Sequence, residues 1–133
     1  MMKRIFWISA AALVNLSVVW ADNGSLKSEI VGDWKHEHRQ IGVSADTIKT
    51  YAADGTYKAS SKVSMLGAKS GVDYEGKWEI LDGPILRLTV TKTNNKLYVS
   101  SDAVYEMKDL KIENGVMTYK HKGKAERETR VKD

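Results

Sequence analysis

The chain of 133 residues has no cysteine, one proline and one phenylalanine. Without cysteine it cannot form a disulfide scaffold, a cysteine-ligated zinc ribbon or a covalent haem attachment. Its length is that of one domain, which excludes a large multidomain enzyme. Because 42% of its residues are hydrophobic and 29% are charged, the composition is that of a folded globular protein rather than a disordered chain.

The N-terminus has the pattern of a secretory signal peptide. Lys3 and Arg4 precede an apolar run over residues 5–20, and the small residue Ala21 follows it. This pattern predicts a signal peptide over residues 1–21, cleavage after Ala21 and a mature chain that begins at Asp22. The run is short for a bilayer span, so no membrane span is expected after cleavage. With no cysteine to carry a lipid, the product is expected to be periplasmic or secreted.

The charge pattern gives no support for a nucleic-acid partner. Cleavage would remove Lys3 and Arg4 and lower the formal net charge from +4 to +2. In the remaining chain the two signs are interspersed, and only residues 120–124 form a basic cluster. A solvated strand end explains that cluster, so no nucleic-acid partner is expected.

Alternation with period two dominates the mature chain. In residues 72–80 the even positions are apolar or glycine and the odd positions are charged, and residues 56–65 and 86–91 alternate in the same way. No stretch has a helical stripe longer than a few residues, so an all-β domain is predicted. The predicted strands lie near 31–39, 46–53, 56–65, 72–81, 85–92, 96–107, 109–113, 116–122 and 125–131.

Short turn signals separate these strands, among them Asp54-Gly55 and Asn114-Gly115. Such turns join antiparallel neighbours, and residues 40–45 and 66–71 are the candidate mouth loops. A meander of this kind has to close or to pack on a second layer. We therefore predict one all-β domain over residues 22–133, an antiparallel up-and-down meander closed into a barrel of about eight strands, with a flattened sandwich as the alternative.

Three motifs resemble small bacterial lipocalin-like domains of the calycin type. Gly32-Asp33-Trp34 matches the G-x-W signature at the first strand. The hairpin of residues 50–57 and the strand of residues 74–78, which contains a second G-x-W, follow it. The resemblance implies a lipocalin-like barrel that binds a small, largely hydrophobic molecule. It also implies an arginine packed over Trp34, which by position is Arg127 or, failing it, Arg130.

Aromatic and apolar residues on the inward positions are the candidate ligand-binding residues. A tyrosine or tryptophan offers a flat apolar face with one polar group. The same residues could instead fill the core of a small domain. The pocket candidates are Trp34, His36, Tyr57, Tyr74, Trp78, Leu88 and Tyr105, with Ile48, Ala59 and Ser61 as further inward positions.

A metal site is a second possibility. His36 and His38 lie on one face of the first strand, and two imidazoles in that spacing can bind one metal if a third ligand comes from a neighbouring strand. His121 is the remaining histidine. The alternatives are a zinc site on these residues and partly exposed polar side chains at a strand end, and no other cofactor is indicated.

No catalytic motif is present, so a binding protein is favoured over an enzyme. Residues 71–77 fit G-x-x-x-x-G-K, but Trp78 stands where a P-loop needs Ser or Thr. The chain has no G-x-S-x-G sequence and no cysteine nucleophile. Besides the carrier of a small hydrophobic molecule, a compact β module that binds a protein or envelope component, as an inhibitor or immunity factor does, remains open.

Overall fold

The computed structural model of the chain describes residues 22–132, which form one short helix and eight strands. The predicted signal peptide, residues 1–21, lies outside the described residues. The elements are α1 Asp22–Ile30, β1 Gly32–Gln40, β2 Val43–Tyr51, β3 Thr56–Met65, β4 Ala68–Leu81, β5 Ile85–Thr93, β6 Val104–Glu113, β7 Val116–His121 and β8 Lys124–Arg130.

The eight strands form one closed barrel in sequence order, which confirms the predicted antiparallel up-and-down meander. β8 returns to β1 with Trp34 opposite Arg130 and His36 opposite Glu128. Six of the seven connections between strands have two to four residues, and links this short join antiparallel neighbours. Because the sheet closes on itself, it leaves no open edge that would need a second layer.

The alternation read from the sequence is present on β4. Val72, Gly76, Trp78 and Ile80 are buried, whereas the charged residues between them are exposed. The inner face of the barrel is therefore apolar and the outer face is exposed to solvent, as expected for an antiparallel sheet with one solvated side.

The predicted mouth loops at 40–45 and 66–71 are wrong. β2 begins at Val43 and β4 at Ala68, so each connection is a two-residue turn, Ile41-Gly42 or Leu66-Gly67. Gly42 and Gly67 have φ angles of 78° and 86°, which glycine adopts without strain. At both places the turn consists of one residue followed by a glycine, and that glycine is the sequence signal for the turn.

The single long connection among the described residues covers 94–103, where the sequence predicts part of a strand over 96–107. Leu97 and Val99 alternate as in a strand, but Asp102 and Ala103 fold back onto Val90 through backbone hydrogen bonds of 3.1 and 2.8 Å. β6 begins only at Val104 and continues through a bulge into the predicted strand 109–113. Eight strands therefore replace the nine predicted.

The sequence predicts no helix, and α1 corrects this. Leu26 and Ile30, four residues apart, are both buried in the core. One pair of apolar residues is too short a stripe to stand out as a helical pattern. Between residues 22 and 132, no helix has the length and apolar character needed to cross a membrane.

The barrel has two ends. The closed end is covered by α1 and carries the β2–β3, β4–β5 and β6–β7 connections, while the mouth end carries the other four. The larger apolar cluster, which contains Ile30, Trp34 and Trp78, includes the closed end. A smaller cluster at the mouth end consists of Val72, Val90 and Val99.

Gly76 on β4 provides a test of this packing. A β-carbon at Gly76 would lie 1.8 Å from the backbone oxygen of Thr89 on β5, where the strand register shifts. We expect Gly76→Ala to lower the free energy of unfolding by about 1 to 3 kcal/mol, because β4 and β5 have to separate. Gly71→Ala on the same strand meets no atom within 4 Å and should change little. Equal losses for the two variants in denaturant unfolding would contradict this account.

Candidate functional site

The first tryptophan closes one end of the barrel interior. Trp34 has no exposed surface, and its indole Nε1 donates a hydrogen bond of 2.8 Å to the Ile30 carbonyl. The guanidinium carbon of Arg130 lies 4.3 Å from the ring centroid of Trp34. Gly32 has a φ of 130°, and a β-carbon there would be 2.7 Å from Arg130 Nη1. The glycine of G-x-W therefore makes room for the arginine.

The arginine over Trp34 is Arg130, so the prediction of Arg127 is wrong. On β8 the inward positions are Glu126, Glu128 and Arg130, whereas Arg127 is exposed. Because β8 has hardly any apolar side chains, its own alternation does not identify the buried face. The pairing of β8 with β1 sets it instead.

The second tryptophan anchors the β2–β3 turn. Trp78 Nε1 donates to the Ala52 carbonyl at 2.9 Å, and the Tyr51 ring meets the Trp78 ring edge-on at 5.9 Å. Within the turn, the hydroxyl and the backbone N–H of Thr56 donate to Asp54 at 2.6 and 2.9 Å. These two hydrogen bonds lower the pKa of Asp54. The hairpin and G-x-W motifs are thus parts of one structural unit.

A charged pair lies inside the barrel. Lys49 on β2 donates to Glu128 Oε2 on β8 at 3.0 Å, and the two side chains are 7% and 0% exposed. The Tyr119 hydroxyl donates to the same oxygen at 2.6 Å. We call Lys49, Glu128 and Tyr119 the buried polar cluster. Because replacing a buried ion pair by apolar residues is often neutral or stabilising, stability alone does not explain why this interior contains one.

Three buried polar atoms of the barrel have no partner within the described part of the chain. They are the hydroxyls of Tyr51 and Tyr57 and the second carboxylate oxygen of Glu128, Oε1. The rings of Tyr51 and Tyr57 stack at 6.2 Å, and Tyr57 meets Tyr74 edge-on at 6.3 Å. Each unpaired buried polar atom costs about 1 to 3 kcal/mol, so the site holds hydrogen-bonding capacity that the protein does not use itself.

Burial and the neighbouring charges together determine the ionisation of the interior groups. Burial by itself would lower the pKa of Lys49, but the Glu128 carboxylate together with Tyr74 and Tyr105 more than offsets this effect, so the pKa of Lys49 lies above its ordinary value. Burial, reinforced by the charge of Glu128, raises the pKa of Tyr51 and of Tyr119. At neutral pH Lys49 is therefore a charged ammonium group, and Tyr51 and Tyr119 are neutral phenols with a hydrogen to donate.

These shifts predict a loss of stability in alkaline solution. Burial raises the pKa of five tyrosines above their ordinary value of about 10: Tyr51, Tyr57, Tyr74, Tyr105 and Tyr119. Above about pH 10 the tyrosines of the unfolded chain lose their protons while those of the folded chain keep them. The stability that these phenols contribute is therefore fully present below about pH 10 and is lost as the pH rises further. We expect the free energy of unfolding to fall above about pH 10. Tyrosinate absorbance should rise together with the loss of circular dichroism, and ionisation of these phenols in an intact barrel would contradict it.

The buried polar cluster is not predicted from the sequence. On β2 the sequence predicts an inward Ile48, whereas Ile48 is 38% exposed and Lys49 is buried. Tyr51 of the hairpin motif could have corrected β2, since an inward Tyr51 implies that Lys49 also points inward. No comparable signal was available on β8.

The predicted pocket residues fall into two groups. Trp34, Tyr57, Trp78 and Leu88 are at most 7% exposed and pack against each other in the larger apolar cluster. The other three, His36, Tyr74 and Tyr105, are half-buried. Tyr74 and Tyr105 contact both apolar clusters.

The three histidines are not brought together. His36 Nε2 lies 3.2 Å from Glu126 Oε1, and His121 Nδ1 lies 3.3 Å from the Glu106 carbonyl oxygen. His38 is half-buried farther along β1. Over residues 22–132, no group of three or more His, Asp or Glu side chains is arranged to hold a metal ion.

In the comparisons with known proteins, no family model matches the chain, and no curated protein matches it either.

Proposed function

We propose that this protein is an exported, lipocalin-like carrier that binds a small molecule inside its barrel. The ligand is largely apolar and has one group that both donates and accepts hydrogen bonds, such as a hydroxyl or an amide. Export rests on the signal-peptide pattern of residues 1–21, which leads to a periplasmic or secreted protein. The lipocalin-like assignment rests on the two G-x-W motifs and on Arg130 packed over Trp34.

The observation that supports binding is the set of three unpaired atoms. The Tyr51 and Tyr57 hydroxyls can donate to a ligand, and Glu128 Oε1 can accept from it. The aromatic rings beside them supply apolar contact. Ligand sites in proteins combine apolar walls with a few polar groups that fix the orientation of the ligand.

Access to the interior is expected at the mouth end. The three unpaired atoms are fully buried, so a ligand has to displace a side chain that now fills the barrel. In the mouth-end cluster, Val72 and Val90 lie on strands, while Val99 lies on the 94–103 connection. Moving a loop costs less than opening a strand ladder, so Val99 is the side chain expected to move.

Native mass spectrometry of the protein purified as exported, without chelator, is the first test. An organic adduct that is lost on denaturation is expected. A zinc-sized adduct removed by His36→Ala with His38→Ala would contradict the organic ligand and support the metal site. A bare polypeptide that also fails to bind the probe described next would overturn the carrier function and favour the protein-binding alternative.

A probe pair tests the role of the unpaired atoms. Naphthalenemethanol should bind more tightly than methylnaphthalene, which lacks the hydroxyl. Tyr51→Phe with Tyr57→Phe should weaken naphthalenemethanol binding by about tenfold, as expected for losing one or two hydrogen bonds. Tyr98→Phe, on an exposed tyrosine, is the matched control.

The same double variant should not lose stability. Its free energy of unfolding should stay equal or rise, because it removes buried hydroxyls that have no partner and leaves the rings in place. Weaker binding with intact stability would separate a ligand role from a packing role. Equal affinity of the double variant and the wild type for naphthalenemethanol would contradict the proposed site.

A further inference from the structure

The mouth end carries most of the exposed large apolar side chains of the described chain. Three of them project almost fully into solvent: Ile41 at 104%, Leu66 at 86% and Leu97 at 93% exposure. Three more are partly exposed at the same end, Met65, Tyr98 and Val104. Beyond this end there are only two others among residues 22–132, Ile48 on the wall and Val131 near the closed end. An apolar concentration of this kind on a water-facing end indicates a binding surface.

The turns that carry these side chains are held in place. The backbone N–H of Leu66 donates to the Gly42 carbonyl at 2.7 Å, so the β1–β2 and β3–β4 turns touch. On the 94–103 connection, Val99 is buried and Asn95 Oδ1 accepts from the N–H of Leu97 at 3.1 Å. Hydrogen bonds and the buried Val99 side chain therefore hold the backbone that carries Ile41, Leu66 and Leu97.

Leucine is energetically unfavourable at position 66 because of the backbone conformation there. It has a φ of 51°, a left-handed conformation that a leucine adopts only with strain. Asn114 and Lys122 occupy the same place in two other turns that are followed by glycine, with φ angles of 51° and 52°. Since a polar residue satisfies this turn without exposing apolar surface, turn formation does not explain Leu66.

Basic side chains lie at the same end of the barrel. Four exposed lysines lie on or beside the mouth-end connections, and within residues 22–132 none of them forms an ion pair: Lys69, Lys96, Lys122 and Lys124. Asp102 is the one carboxylate on those four connections.

The closed end has the opposite charge. Among residues 24–132, five carboxylates lie on or near α1 and the closed-end connections, against three cations there, Lys27, Arg130 and Lys132: Glu29, Asp33, Asp54, Asp82 and Glu113. The molecule therefore has a basic end and an acidic end, and an anionic surface would orient it with the mouth end forward.

We propose that the mouth end docks onto the surface of an anionic lipid bilayer. Ile41, Leu66 and Leu97 insert into the interface between headgroups and acyl chains, and the lysines contact the lipid phosphates. Apolar side chains combined with basic ones bind anionic membranes peripherally, and neither set is sufficient alone for firm binding. The proposal is independent of any ligand inside the barrel, and it goes beyond the carrier function by placing the mouth against lipid.

Vesicle binding tests the proposal. The chain beginning at Asp22 is used, because it contains α1 and all eight strands and leaves out the apolar run of residues 5–20. It should float with mixed phosphatidylcholine and phosphatidylglycerol vesicles, much less with phosphatidylcholine alone, and less as salt is raised. Failure to bind the mixed vesicles at low salt would overturn the proposal.

Two variants separate the apolar and electrostatic contributions. Ile41→Ser, Leu66→Ser and Leu97→Ser together should weaken partitioning by about tenfold or more. Lys122→Glu with Lys124→Glu should weaken it by about tenfold and reduce its salt dependence. Val131→Ser, an exposed apolar residue near the closed end, is the matched control and should bind as the wild type does.

The absence of cysteine allows the docked end to be identified. Leu97→Cys, or Glu113→Cys at the closed end, provides a single attachment site for an environment-sensitive nitrobenzoxadiazole label. Fluorescence should rise and shift to the blue with mixed vesicles for the label at Leu97 only. Equal responses at the two sites would contradict docking by the mouth end.

Sedimentation without lipid tests another occupant, a second copy of the chain. If the wild type self-associates, the triple serine variant is monomeric and mixed vesicles bind neither, the patch is a homodimer surface and the membrane proposal is overturned. A monomeric wild type that binds mixed vesicles supports it.

Discussion

Replacing Lys49 by methionine is expected to lower the free energy of unfolding by about 3 to 5 kcal/mol. Methionine fills a similar volume, so little of this loss comes from a cavity. The loss comes from the Glu128 carboxyl group, which has no exposed surface and would be left without its ammonium partner 3.0 Å away. Denaturant unfolding at neutral pH measures the change.

A double variant separates charge from packing. Lys49→Met with Glu128→Gln removes both charges and leaves an amide oxygen that can accept the hydrogen bond from Tyr119. Its free energy of unfolding should return to within about 1 kcal/mol of the wild type. Lys58→Met, on an exposed lysine of β3, should change it by less than about 0.5 kcal/mol. A double variant as unstable as Lys49→Met alone would contradict the account based on the unpaired charge.

Trp34→Ala is expected to lower the free energy of unfolding by about 3 to 5 kcal/mol, because it removes a fully buried large side chain from the closed end. It also removes the indole donor to the Ile30 carbonyl and so loosens α1. Trp34→Phe keeps much of the ring volume and should lose less. A near-neutral Trp34→Ala variant in denaturant unfolding would contradict the assignment of Trp34 as the barrel floor.

Two arginines of β8 provide a matched comparison for that prediction. Arg130 stacks on Trp34 and donates hydrogen bonds to the carbonyls of Glu29 and Val31, whereas Arg127 is exposed. Arg130→Ala should cost about 1 to 2 kcal/mol, and Arg127→Ala should be close to neutral. The reverse order would contradict the observed register between β8 and β1.

The buried polar cluster and the mouth end depart from what stability alone favours, in opposite ways. Inside, Lys49 and Glu128 occupy positions where apolar residues would fold as well or better. Outside, Ile41, Leu66 and Leu97 occupy positions where polar residues would be better solvated. Residues that break local rules without a compensating structural gain are expected at functional sites. Both proposals rest on such residues.

Much of the fold could be predicted from the sequence because its signals are local. The alternation on β4 needs only one strand with a mixed sequence, since apolar and charged residues identify the two faces directly. Short turns such as Asn114-Gly115 require antiparallel neighbours, and a long antiparallel meander has to close or to pack on a second layer. These signals favour a closed barrel of about eight strands, and the structure decided between the barrel and a flattened sandwich.

What the sequence by itself determined is therefore the class of fold, its connectivity and the faces of the strands with clear alternation. Only the tertiary structure decided that Lys49 and Glu128 point inward, that Arg130 rather than Arg127 covers Trp34, and that α1 closes one end. The physical reason is that β2 near Lys49 and all of β8 contain too few apolar residues to mark a buried side. Their orientation is set by the hydrogen-bond register with neighbours distant in sequence, and a register shift of one residue would exchange the two faces.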